Sequence, residues 1–107
     1  MASIDDFRKI ELRVGEIKDV QDHPNADKLY IVSVDLGDNK PKQLVAGIKP
    51  SYQKEDLLGK QVVVVDNLEP AILRGVESQG MLLAVSDEEG ITIIMPEKKK
   101  KLGSIVK

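Results

Sequence analysis

Two apolar stretches that change face part-way along constrain this chain most. From Leu12 to Val20, Leu12 and Val14 share one face at period two. Ile17 falls out of phase, and Gly15 stands at the break. A slip of phase at a glycine marks a bulge or sharp bend in a strand. From Leu29 to Leu36 the pattern slips again: Leu29 and Ile31 hold one phase, Val32, Val34 and Leu36 the other. Two long, bent strands in succession are what a small closed barrel requires, because each serves two of its sides.

The remaining pattern extends this reading. Ser3 and Asp6 make a capping box for a short helix from Ile4 to about Lys9, with Phe7 and Ile10 docking it. A third strand is expected from Lys42 to Ala46, and a short helix over Ser51–Leu58 closed by Gly59. The fourth strand, Gln61 to Val65, is a continuous apolar run, as burial on both faces demands. Met81 to Val85 is the fifth. Asp87-Glu88-Glu89-Gly90 then turns the chain into Ile91–Ile94, a hairpin with glycine at a left-handed position. This order fits an all-β fold, the five-stranded Greek-key OB barrel, with short helices and a C-terminal hairpin and tail.

The 107 residues suffice for one domain and are too few for two cores. The barrel is expected over about residues 8–86, with an accessory hairpin and tail over about 87–107. That extension carries Ile91, Ile93, Ile94, Met95, Leu102, Ile105 and Val106, more than a closed barrel can bury. A homodimer is expected on that ground.

Several functional classes are unsupported. There is no cysteine, so thiolate catalysis and cysteine-based metal sites are excluded, and a reducing, cytoplasmic setting is expected. No signal-peptide pattern opens the chain, and no apolar run is long enough to span a bilayer. His23 is the sole histidine and stands before Pro24 in a turn. It offers no triad, no HExxH motif and no histidine cluster. No phosphate-binding glycine loop occurs. The chain reads as non-catalytic, with no metal and no cofactor. Its net charge of −2 places any affinity for phosphate in local patches rather than in the total.

Four segments become informative together: His23-Pro24-Asn25-Ala26-Asp27-Lys28-Leu29, Val45-Ala46-Gly47-Ile48, Asn67-Leu68, and Gly75-Val76-Glu77-Ser78-Gln79-Gly80-Met81. In that order and spacing the chain resembles the tRNA-binding domain at the C-terminus of methionyl-tRNA synthetases. The same module is shared with free-standing tRNA-binding proteins, with an insert of the phenylalanyl-tRNA synthetase beta subunit, and with a human cytokine precursor. The resemblance implies an OB barrel, dimerisation through the region after it, and tRNA recognition largely by shape. It places catalysis in another domain or polypeptide, so a synthetase catalytic subunit is an implied partner. The chain would then be a free-standing protein, a beta subunit or an excised domain. The family often carries basic residues after the asparagine-leucine step, but here only Arg74 is basic and Glu69 is acidic. A bacterial group of secretion chaperones is similar in fold, which gives the alternative reading of a dimeric polypeptide binder.

The expected RNA-binding residues follow. Asn25 offers donors and an acceptor, and Lys28 can neutralise a phosphate; the competing reading of their loop is a well-made turn. Ser78 and Gln79 suit sugar hydroxyls or base edges, or else satisfy backbone in a tight connection. Met81 would cover the ligand face or join the core. Lys42, Lys49, Lys60 and Arg74 form a candidate basic rim, and Lys98–Lys101 a solvated run that adds nonspecific phosphate attraction. The loop at Asn25 and the segment Arg74–Gln79 are expected to converge on one face although about fifty residues apart. Only Phe7, Tyr30 and Tyr52 are aromatic, so a folded tRNA is favoured over an unstructured strand gripped by stacking.

Overall fold

The computed structural model describes residues 1–107. Helix α1 spans Ile4–Arg8, and α2 spans Lys54–Leu57 after a 3-10 turn at Lys49–Ser51. The strands are β1 Leu12–Asp22, β2 Tyr30–Asp35, β3 Lys42–Ala46, β4 Gln61–Val65, β5 Ala71–Leu73, β6 Val76–Ser78, β7 Met81–Leu82, β8 Ala84–Asp87, β9 Gly90–Ile93 and β10 Ile105–Val106. The main sheet runs β3-β2-β1-β4-β7, all antiparallel, with β10 also paired to β1. It is an OB-type barrel of five strands, as expected. No helix is long and apolar enough to cross a membrane.

β1 makes the bend. Leu12–Glu16 pair with β4 and Glu16–Asp22 pair with β2, with a register shift between Ile17 and Asp19. Gly15 is needed at the turn of the strand: a Cβ there would lie 2.4 Å from Val34 Cγ1. β2 corrects the sequence reading. It alternates without a slip, with Tyr30, Val32 and Val34 inside and Ile31 half-exposed outside. One bent strand therefore does what two were expected to do.

The run of β4 is buried throughout because it lies between two cores. Val62 and Val64 join Ile17, Val32, Val34 and Leu44 inside the barrel. Val63 and Val65 join Leu12 in an outer cluster, covered by Leu83, Ile94 and Val106. The C-terminal segment is what covers it. Gly103 N–H donates to the Val14 carbonyl at 2.7 Å, and Val14 N–H donates to the Ser104 carbonyl at 2.9 Å. Of the surplus apolar residues, Ile93 enters the barrel core and Ile91, Ile94 and Val106 pack on one core or the other. Met95 and Ile105 remain well exposed. The extension thus buries most of its own apolar surface, and the ground given for a dimer is correspondingly narrower.

α1 is capped as its sequence requires. Asp6 N–H donates to Ser3 Oγ at 3.1 Å, and Ser3 N–H donates to Asp6 Oδ2 at 3.0 Å. The backbone bond from Ser3, with help from its hydroxyl, holds the Asp6 carboxyl below the usual carboxylate range. Apolar docking by Phe7 and Ile10 is not what anchors it, since both are exposed. Asn67 does so instead: its Oδ1 accepts from Glu11 N–H at 2.8 Å and its Nδ2 donates to the Lys9 carbonyl at 2.6 Å.

The barrel closes against β3 through side chains and one backbone bond. Val45 N–H donates to Ser78 Oγ at 3.0 Å, and that hydroxyl donates onward to the Gly80 carbonyl at 2.8 Å. Gln79 N–H donates to the Gln43 carbonyl at 2.8 Å, and Gln43 N–H donates to Gln79 Oε1 at 2.9 Å. Gln43 Nε2 completes the seam on the Glu77 carbonyl at 2.7 Å. Gly80 has no room for a side chain, because a Cβ would sit 2.7 Å from the Val65 carbonyl oxygen. Ser78→Ala leaves the buried Val45 N–H without an acceptor, so urea unfolding should show a loss of about 1–3 kcal/mol. A change within a few tenths of a kcal/mol would mean the seam does not hold the barrel shut.

Candidate nucleic-acid interface

The loop after β1 is built around His23. The ring is buried, 5% exposed. Its Nε2 faces the Leu73 carbonyl at 2.9 Å, and its Nδ1 faces the Asn25 backbone N–H at 3.0 Å. A carbonyl can only accept and an N–H can only donate, so the ring sits as the neutral Nε2–H tautomer. One imidazole thereby turns its own loop and ties it to a strand fifty residues later. Asn25 adds a second tie, its Nδ2 donating to the Arg74 carbonyl at 3.3 Å.

That later strand belongs to the β5–β6 hairpin, which the sequence reading did not resolve. Leu73 pairs with Val76 across the two-residue turn Arg74-Gly75. Both turn residues have positive φ, 53° at Arg74 and 89° at Gly75. This is the type I′ geometry that matches the twist of a hairpin, and it accepts asparagine-glycine most readily. Arginine in that position carries a left-handed cost of about 1–2 kcal/mol. The signal available in the sequence was the arginine-glycine pair between short alternating segments.

The two loops enclose a cleft of about 460 Å³ lined by Asn25, Ala26, Asp27, Lys28, Leu29 and Arg74. Arg74 and Lys28 are exposed, and neither has a carboxylate within ion-pair distance, although Asp27 shares the cleft. The convergence expected of residues about fifty apart is present.

The other expected residues are placed differently. Ser78 is 2% exposed and uses its hydroxyl in the seam. Gln79 is half-buried and engages Gln43 through its Oε1 and its backbone. Met81 is half-buried on β7 opposite Val65. Lys42 Nζ is held by the Asp66 carboxylate and donates to the Asp66 carbonyl at 2.8 Å. Lys49 and Lys54 both pair with Asp22, at 3.0 and 3.1 Å, and their hydrogen bonds hold its carboxyl below the usual range. Lys60 stands 5.6 Å from the Tyr52 ring centre. Of the rim expected at Lys42, Lys49, Lys60 and Arg74, Arg74 alone keeps its charge free of a side-chain partner.

Tyr30 offers no stacking surface, and Tyr52 is half-buried. Tyr30 is buried and donates its hydroxyl to the Tyr52 carbonyl at 2.7 Å. The Tyr52 hydroxyl accepts from Ile93 N–H at 3.0 Å. A second, apolar groove of about 280 Å³ lies between Ala46–Ile48 and Met81, Val85 and Ile91.

A barrel of this topology with a polar, cationic corner defines an OB-fold binding module. The chain belongs to the family described as "Putative tRNA binding domain", which matches residues 12–105. It is 60% identical over 103 residues to the methionine–tRNA ligase of Thermococcus onnurineus, covering 96% of this chain and 14% of that protein. It is 44% identical over 104 residues to the Helicobacter pylori ligase, covering 97% of this chain and 16% of that one. The chain thus spans about a seventh of the length of these curated relatives. Among solved structures, a MetRS-related protein from Pyrococcus horikoshii superimposes with a TM-score of 0.89 at 34% identity, covering 99% of this chain and 97% of that one. A CsaA chaperone protein from Picrophilus torridus gives 0.91 at 29% identity over the whole of both chains.

His23→Ala removes both ends of the tie between the loops. Unfolding should lose about 1–3 kcal/mol, since the Leu73 carbonyl and the Asn25 N–H each lose a partner. Amide exchange at Gly75 and Val76 should quicken beyond what that global loss explains. Exchange that tracks global stability alone would show that His23 does not hold the corner.

Proposed function

We propose that this domain binds folded tRNA without catalysing a reaction on it, in the cytoplasm, as a homodimer that serves a methionyl-tRNA synthetase catalytic domain or subunit. The observation that carries this reading is the convergence of Asn25 and Lys28 with Arg74 on one cleft where two cations have no carboxylate within ion-pair distance. Lys28 and Arg74 would neutralise phosphates. Asn25 retains its side-chain oxygen to accept from a ribose 2′-hydroxyl, the group that distinguishes RNA from DNA. Gln79 keeps its side-chain nitrogen to report local backbone shape, whereas Ser78 positions the segment through the seam. Met81 borders the apolar groove rather than the cleft, and Lys42 steadies Asp66. The scarcity of aromatic rings, with Tyr30 buried and Tyr52 half-buried, favours a folded RNA over a stacked single strand.

The family description and the ligase relatives support tRNA as the ligand, and a raised local tRNA concentration is what such a module would give a catalytic domain. The apolar groove and the likeness to the CsaA chaperone favour a second reading, in which extended polypeptide is bound. The groove is equally suited to the dimer contact.

The test is tRNA affinity at two salt concentrations for Lys28→Ala with Arg74→Asn, against Lys40→Ala with Lys54→Ala. The first pair should weaken binding and reduce the salt slope by about 1.5, at roughly 0.7–0.9 for each phosphate no longer neutralised. Arg74→Asn also relieves the turn, so its thermal stability should equal or exceed that of the parent. Equal effects of the two pairs would contradict this placement. Tight binding of unfolded polypeptide with no tRNA affinity would favour the second reading.

A further inference from the structure

We propose that Lys98–Lys101 form a second, built surface for RNA phosphates, separate from the cleft at Asn25 and Arg74. The proposal rests on tRNA being the ligand and adds a second point of contact to it. In sequence this run has the look of a solvated tail. In the structure its backbone is pinned at Lys100 by a buried polar side chain. Gln61, 5% exposed, is the one polar residue in the otherwise apolar β4. Its Nε2 donates to the Lys100 carbonyl at 2.6 Å, and Lys100 N–H donates to its Oε1 at 2.9 Å. The Lys101 carbonyl accepts from Ser104 N–H at 3.1 Å and from the Ser104 hydroxyl at 2.5 Å. The next residues are laced onto β1 through Gly103, Ser104 and β10.

Four consecutive exposed lysines thus follow a backbone pinned at Lys100 and Lys101, and none has a carboxylate within ion-pair distance. The acids that face them are few. Glu97 lies with Lys99 and Lys60 in a cleft of about 310 Å³. Glu16 is held chiefly by Lys18, at 2.6 Å, with Lys99 acting on it only weakly. In a chain of net charge −2, a run of four unpaired cations on a pinned backbone is complementary to a polyanion. A long, regularly charged partner fits it better than a small anion, because no buried donor faces outward and each charge stands on a separate flexible stem. RNA backbone is that partner.

The lysine run is anchored beside the middle of β1, where Gln61 pairs with Glu16, and the cleft lies beyond its far end, where His23 follows Asp22. The domain extends 37 Å at most, so a single folded RNA of a few helical turns can reach both.

The experiment measures tRNA affinity across a salt series for three proteins besides the parent. Lys98, Lys99, Lys100 and Lys101 are changed to Gln together; Lys9, Lys18, Lys40 and Lys107 are changed to Gln as a charge-matched control; and Gln61→Leu keeps every charge but frees the loop. The first variant should bind at least tenfold more weakly and lower the salt slope by about 2. The control should lose threefold or less. Gln61→Leu, judged folded by its thermal transition, should lose several-fold while its slope stays near the parent's. Equal losses in the first variant and the control overturn the proposal, as does full affinity in folded Gln61→Leu. The Lys28→Ala, Arg74→Asn protein separates the two surfaces. If it alone loses affinity, the cleft stands and the lysine surface falls; if the lysine variant alone does, the reverse holds. A parent that does not bind tRNA overturns both.

Discussion

Closure of the barrel against β3 is the constraint on which the rest of the structure depends. β7 contributes only Met81 and Leu82 to the ladder with β4. Two residues cannot close a sheet by backbone pairing alone. Ser78, Gln79 and Gln43 supply the bonds that the ladder does not, and the buried hydroxyl of Ser78 satisfies both Val45 and Gly80. Backbone groups left unpaired in a closed interior are costly, so polar side chains at this one seam stabilise an otherwise aliphatic core. The seam also fixes the departure of β6, and with it the hairpin that carries Arg74.

From there the geometry of the cleft follows. The β5–β6 hairpin stands outside the main sheet as a separate two-stranded ribbon. An isolated hairpin is marginal in water. His23 and Asn25 hold it against the loop after β1, and its I′ turn points Arg74 outward. Several surface acids engage cations: Asp22 takes two lysines, Asp66 takes Arg13 and Lys42, and Glu16 takes Lys18. Lys28 and Arg74 in the cleft and the Lys98–Lys101 run are groups of neighbouring cations that no carboxylate engages. Such local groups are how a chain of negative net charge can hold local affinity for phosphate.

Much of this was legible in the sequence. The limits of β3 and β4, the capped first helix and the glycine of the β8–β9 turn follow from period, capping and turn chemistry. Gly15 was read as a bend from the slip of phase beside it, and the structure refuses a side chain there. The convergence of Asn25 with Arg74 was legible only through the fold, since no local pattern links residues so far apart. What was not legible depended on partners in space. The supposed slip in β2 arose because Leu29 and Ile31 are apolar yet lie outside the barrel. Ser78 has the same chemistry whether it faces ligand or the Val45 N–H. The lysines of the rim gave no sign of the aspartates that engage them, and Gln61 gave no sign of the backbone it holds. Residue type sets what a side chain can do, and the neighbour across the barrel decides which of those things it does.

The most direct measurement of the central claim is a titration of the isotope-labelled domain with folded tRNA, followed by backbone amide resonances. The account predicts that the earliest and largest changes fall at Ala26–Leu29 and at Arg74 and Gly75, the two loops that His23 joins. Changes confined to the apolar groove around Ala46–Ile48 and Val85, with those two loops unmoved, would contradict it.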